Sequence, residues 1–98
     1  MGEIMNIHQT ARFFLGRVVA TPGALQALEK AGMGTVPLLA RHQSGDWGEL
    51  SAEDWRANEE AIEHGWRVFS SYAVGGAVVW IITEADRSAT TILLPEEY

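Results

Sequence analysis

The feature that most constrains this chain is a change of hydrophobic period at Gly65. Upstream of it, apolar residues recur at helical spacing; downstream, they form short β-branched and aromatic runs. Trp66 to Val74, Ala77 to Thr83 and Ala89 to Leu94 read as strands. Gly75-Gly76 joins the first two as a two-residue hairpin, because both positions tolerate the positive φ that such turns require. Glu84 to Ser88 joins the second and third, and Pro95 ends the last strand, leaving Glu96 to Tyr98 as a tail. Three hairpin-connected strands in a row imply an antiparallel meander.

The first two-thirds are mainly helical. A strand over Phe13 to Ala20 is followed by Thr21-Pro22, an N-cap and a first-turn proline, which open a helix over about 22–31. Gly32 and Gly34 stop it. A second helix spans Val36 to about His42, with Thr35 as its cap and Gly45 as its end. Ser51 caps a third helix that runs to His64 and stops at Gly65, with Glu53 and Asp54 complementing its positive end. Trp55, Asn58 and Ile62 share its apolar stripe. The order β-α-α-α-β-β-β predicts an α+β fold, an antiparallel three- to four-stranded sheet covered on one face by helices. Residues 1–98 make one domain, with 1–12 as a loosely held lead-in. Where the first strand joins the sheet is not set by the pattern.

Composition excludes several classes of function. With no cysteine there is no disulfide framework and no thiolate chemistry. No run of about 18 apolar residues could span a bilayer, and the N-terminus lacks a basic-plus-apolar leader, so a cytoplasmic protein is expected. A net charge of −6 argues against a dedicated nucleic-acid binder, which needs clustered lysine and arginine. That charge is unevenly placed. Asp46, Glu49, Glu53, Asp54, Glu59, Glu60 and Glu63 face one base, Arg56, between Gly45 and His64, while acids and bases balance over the remainder. The segment is either a solvated helix face that confers solubility or an acidic surface for a protein partner with a basic surface.

Candidate sites follow from residue chemistry. His42, Asp46 and Trp47 form one cluster. A histidine and a carboxylate can act as a base and its orienter, but His42 at a helix end is equally a dipole partner. Trp47 between glycine-rich turns is either a plug over the core edge or an exposed anchor. Trp55 and Trp80 are expected in the core, and Trp66 is ambiguous. Thr83, Glu84, Asp86, Arg87 and Ser88 form a second cluster, able to bind a small polar ligand or a cation, or simply to make a wet turn with Asp86 bonded to Ser88. Asn58, the polar member of an apolar stripe, is expected to satisfy a neighbouring strand's backbone or to reach a pocket. His8, His42 and His64 are too scattered for a metal site, and no catalytic or phosphate-binding motif is present, so no cofactor is expected. The third helix is roughly 21 Å long, which predicts that the two polar clusters lie about 20 Å apart.

Two stretches carry a resemblance that covers most of the chain from Phe13 onward. His42-Gln43-Ser44-Gly45-Asp46-Trp47-Gly48-Glu49 fits an HxxGDWGE pattern. Trp80-Ile81-Ile82-Thr83-Glu84-Ala85-Asp86-Arg87-Ser88 continues into Ala89-Thr90-Thr91-Ile92-Leu93-Leu94-Pro95. Together they resemble a family of short bacterial proteins carried on plasmids and other mobile elements and labelled plasmid-related. Some relatives bear names taken from restriction–modification systems, but this chain has no methyltransferase motif. The resemblance implies a bacterial accessory protein of mobile elements and implies no chemistry. The expectation is a non-enzymatic interaction protein whose acidic helix, bearing Glu59, Glu60 and Glu63, or the acidic loop before it docks onto a partner. The rival is a small hydrolase or ligand-binding domain that uses Glu84 and Asp86 as acid/base or cation ligands, with Arg87 holding an anion.

Overall fold

The computed structural model describes residues 10–98. The lead-in expected over residues 1–12 lies mostly outside the described residues. Its last member, Arg12, is held by its backbone N–H on the Gln43 carbonyl and by its guanidinium on Glu59.

The fold is α+β, with three helices and a four-stranded sheet: β1 (Arg17–Ala20), α1 (Pro22–Lys30), α2 (Thr35–Ser44), α3 (Ala52–His64), β2 (Val68–Val74), β3 (Ala77–Thr83) and β4 (Ala89–Leu93). A 3-10 turn, Pro95–Glu97, follows β4 where a simple tail was expected. The caps form where side-chain chemistry placed them. Thr21 Oγ accepts from the Ala24 N–H at 3.1 Å, and Ser51 Oγ from the Asp54 N–H at 3.0 Å. The cap of α2 is Gly34 rather than Thr35, which lies inside the helix. Phe13 to Gly16, expected as part of the first strand, precedes β1 as irregular chain.

The sheet order is β1-β4-β3-β2, and the sheet is mixed rather than antiparallel. Short turns force β2, β3 and β4 to alternate in direction, but β1 is separated from them by three helices and obeys no such constraint. It lies parallel to β4, with Arg17 opposite Ala89 and Ala20 opposite Ile92. Cross-strand register puts Val68, Ser70, Tyr72 and Val74 on the same face as Val79, Ile81 and Thr83, and as Thr90 and Ile92. Ala24 and Leu28 of α1 and Leu38 of α2 form the main core cluster with Tyr72, Val74, Val79, Ile81 and Ile92. The opposite face carries Phe69, Trp80 and Ile82, with Trp80 half-buried between Phe69 and Tyr98. A smaller cluster of Trp47, Ala61 and Val68 fastens α3 to β2.

Candidate functional site

Leu38 and His42 lie one helical turn apart on α2 and both point inward, so the helix places a histidine at a core position. His42 is fully buried, with Phe13 and Trp47 at its ring edges. Its Nδ1 lies 2.5 Å from Ser70 Oγ and its Nε2 2.9 Å from Thr83 Oγ1. Thr83 Oγ1 lies 2.7 Å from Thr90 Oγ1, which donates to the Leu15 carbonyl at 2.7 Å. A hydroxyl has one proton. Since Thr90 gives its proton to Leu15, it must accept from Thr83. Thr83 then has no proton for the ring, so His42 Nε2 carries the hydrogen and Nδ1 accepts from Ser70. The ring is fixed as the neutral Nε2–H tautomer.

Burial, with a contribution from the nearby Arg87 guanidinium, pushes the His42 pKa down to about 3. Ser70, His42 and Thr83 have the connectivity of a nucleophile, a base and an orienting group. All three are nonetheless completely shielded from solvent, so no substrate in solution reaches them. The chain of hydroxyls is a polar knot inside the core. His42 therefore does not complement the α2 dipole from the surface, as its position at the helix end had suggested. Ser70 and Thr90 went unnoticed in the sequence because strand periodicity gives serine and threonine no mark of burial.

The GDWG loop folds around this knot. Asp46 holds Arg41 at 2.7 Å, and that guanidinium lowers the aspartate pKa while lying over the Tyr72 ring at 4.5 Å. Tyr72 donates its hydroxyl to the Asp46 carbonyl at 2.8 Å. Trp47 is the plug and not the anchor: it is fully buried against Phe13, and its indole N–H donates to Glu59 at 3.0 Å. Glu59 also binds both terminal nitrogens of Arg12, which holds its carboxyl below the usual range.

Gly48 has φ +79°, and a side chain there would collide with the Ser71 carbonyl oxygen. That close approach lets the loop bond along the outer edge of β2, where Ser71 N donates to the Trp47 carbonyl and Glu49 N to the Ser71 carbonyl. Two residues earlier along β2, Asn58 does the same with its side chain, donating to the Phe69 carbonyl at 2.6 Å and accepting from the Phe69 N–H at 3.0 Å. The expectation that Asn58 satisfies a strand backbone describes its role.

The 83–88 turn is engaged likewise. Glu84 pairs with Arg67, and the Asp86 carboxylate accepts from the Ser88 N–H at 3.0 Å, the local turn bond that the sequence suggested. Arg87 has φ +60°, a left-handed conformation rare for a side chain of this size. There its guanidinium donates to the carbonyls of Trp66 and Ala61, and so satisfies the C-terminal end of α3. Its charge lies 5.4 Å from the Phe13 ring, which also touches His42. The predicted separation of about 20 Å is therefore wrong for His42, which bonds Thr83 directly. The helix-length argument places Asp46 and Trp47, just before α3, near the Gly75-Gly76 end and carries His42 with them, whereas the last turn of α2 sets His42 against Ser70 and Thr83. Among the described residues, no three acidic or histidine side chains are grouped to hold a metal.

The outer side of α3 is open to solvent. Glu53, Asp54, Glu60 and Glu63 are exposed, while Glu59 is half-buried in its pairing with Arg12 and Trp47. Trp55, expected in the core, is 36% exposed, and Trp66 is 53% exposed and stacks on His64. Asn58 and Ala61 are the residues that α3 buries. Compared with profiles of protein families, with curated proteins and with solved structures, the chain matches none of them.

Proposed function

We propose that this protein is a small non-enzymatic interaction factor, an accessory of bacterial mobile elements acting in the cytoplasm, which docks through the outer face of α3 onto a basic protein surface. The observation that carries this reading is a division of labour among polar residues. His42, Asp46, Trp47, Glu84, Asp86 and Arg87 all have internal partners that build the fold. Glu60 and Glu63, with Glu53 and Asp54, are exposed and make no ion pair with another described residue. Glu59 leaves the docking set, because its charge is matched by Arg12. Trp55 and Trp66 would flank the acids with the amphipathic aromatic surface that interfaces favour. In this reading the helices cover one face of the sheet, which α1 and α2 share with the main core cluster.

The test is affinity capture from a plasmid-bearing host with the Glu60→Lys/Glu63→Lys variant beside the natural chain. Capture of a basic partner, lost in the variant and weakened by added salt, is the expected result. Equal capture by both chains overturns the assignment.

A further inference from the structure

We infer that β1 is a dimerisation edge, at which two copies of this chain join their sheets through an antiparallel β1–β1 pairing about a two-fold axis. The two edges of the sheet are treated differently. The outer edge of β2 is closed by Asn58 at Phe69 and by the GDWG loop at Ser71. No comparable cover lies on β1 among the described residues. In its parallel ladder the N–H of Arg17 donates to Ser88 and that of Thr21 to Ile92. Alternate residues point to opposite sides of a strand's hydrogen-bonding plane, so the N–H and carbonyl groups of Val18 and Ala20 point away from the sheet. Val18 and Val19 are each 42% exposed, and Phe14, just upstream, is 82% exposed. An uncovered edge bearing valines is a template for another strand.

A second copy fits this edge in register and in charge. Centring the two-fold axis on Val19 pairs Val18 with the other copy's Ala20, so the outward backbone groups meet in about four hydrogen bonds. The Val19 side chains meet across the axis. The same register sets the exposed Arg17 opposite Thr21 of the other copy, whose hydroxyl donates to the exposed carboxylate of Glu97. Symmetry repeats this contact, so each guanidinium faces a carboxylate. The acidic helix favours the arrangement too. α3 is fastened to β2, at the far edge of the sheet, so joining two copies at β1 keeps their surplus negative charge at opposite ends.

Sedimentation equilibrium and amide exchange on the full chain over a wide concentration range test the inference. A reversible dimer is expected, with exchange at the Val18 and Ala20 amides slowing as it forms. Val18→Pro removes an N–H that the β4 ladder does not use, so it leaves the monomer folded and weakens the dimer at least about tenfold. Should that variant fail to fold, Arg17→Glu is expected to weaken the dimer by reversing the facing charge. A monomer at every concentration overturns the inference. So does a dimer that resists both substitutions, which places the interface elsewhere. Concentration-independent protection of the Val18 amide, lost on deleting residues 1–9, makes the chain's own leading segment the occupant.

Discussion

The proton of Thr90 goes to the Leu15 carbonyl, and from that bond the orientation of Thr83, His42 and Ser70 follows in turn. Each of these side chains is buried, so each bond that is broken leaves a polar atom with neither partner nor water. Thr83→Val removes the acceptor for His42 and the donor to Thr90 together, and is expected to cost about 2–3 kcal/mol in urea unfolding, although valine fills the same volume. A loss below about 0.5 kcal/mol, the range of a neutral surface change, contradicts the chain of bonds.

His42 also makes stability depend on pH. Its folded pKa, about 3, lies below its unfolded value of 6.5. The unfolded chain therefore takes up a proton first, and the contribution of the neutral ring is complete above 6.5 and lost as pH falls from 6.5 toward 3. The carboxylates of Asp46 and Glu59 are held low by their arginines, so their contribution is lost at lower pH, below the ordinary carboxylate range. Unfolding free energies between pH 7 and 5 are expected to fall on acidification with a slope approaching about 1.4 kcal/mol per unit, and His42→Gln to remove most of that slope.

At the scale of elements, α3 is attached by a polar side chain as much as by apolar packing. Asn58 supplies the outer edge of β2 with the donor and acceptor that a fifth strand would have supplied. Asn58→Ala is expected to destabilise the fold by about 1–3 kcal/mol, with amide exchange at Phe69 accelerating more than exchange in β3. Uniform acceleration would mean that Asn58 acts only through helix packing.

The same elements show what the sequence discloses. Thr21, Ser51, Gly45 and Gly65 announce helix ends by chemistry local to the chain, and the three hairpin-linked strands announce one another through their turns. The place of β1 is not local. Val18 and Thr90 become neighbours only after three helices have intervened, and nothing within four residues of either encodes the pairing. Tryptophan burial fails for the same reason. Trp55 lies on the side of α3 that the periodicity favours, yet Asn58 and Ala61 take the contact with β2, and Trp47, in a loop, fills the space that results. The candidate clusters were found as residues, but their roles depend on Ser70, Phe69 and Ala61, all distant in sequence.

Over the whole molecule, the acidic surplus divides into carboxylates that hold the fold and carboxylates that only face water. Asp46 and Glu59 belong to the first group, through Arg41 and through Arg12 with Trp47. Glu60 and Glu63 belong to the second, within a turn of Glu59 on the same helix. Since no described residue forms an ion pair with them, reversing both should disturb folding little; easing repulsion within a net charge of −6 acts in the stabilising direction. Glu60→Lys/Glu63→Lys is expected to change the unfolding free energy by no more than about 0.5 kcal/mol. Glu59→Lys is a different case, although it changes charge at only one position. It sets an ammonium beside Arg12 and removes the acceptor of the buried Trp47 indole, and is expected to cost about 1–2 kcal/mol. Urea unfolding of the three chains side by side checks the division. A double reversal that destabilises as much as the single one would mean that the outer face of α3 helps to hold the fold, and would remove the reason for regarding it as free to meet a partner.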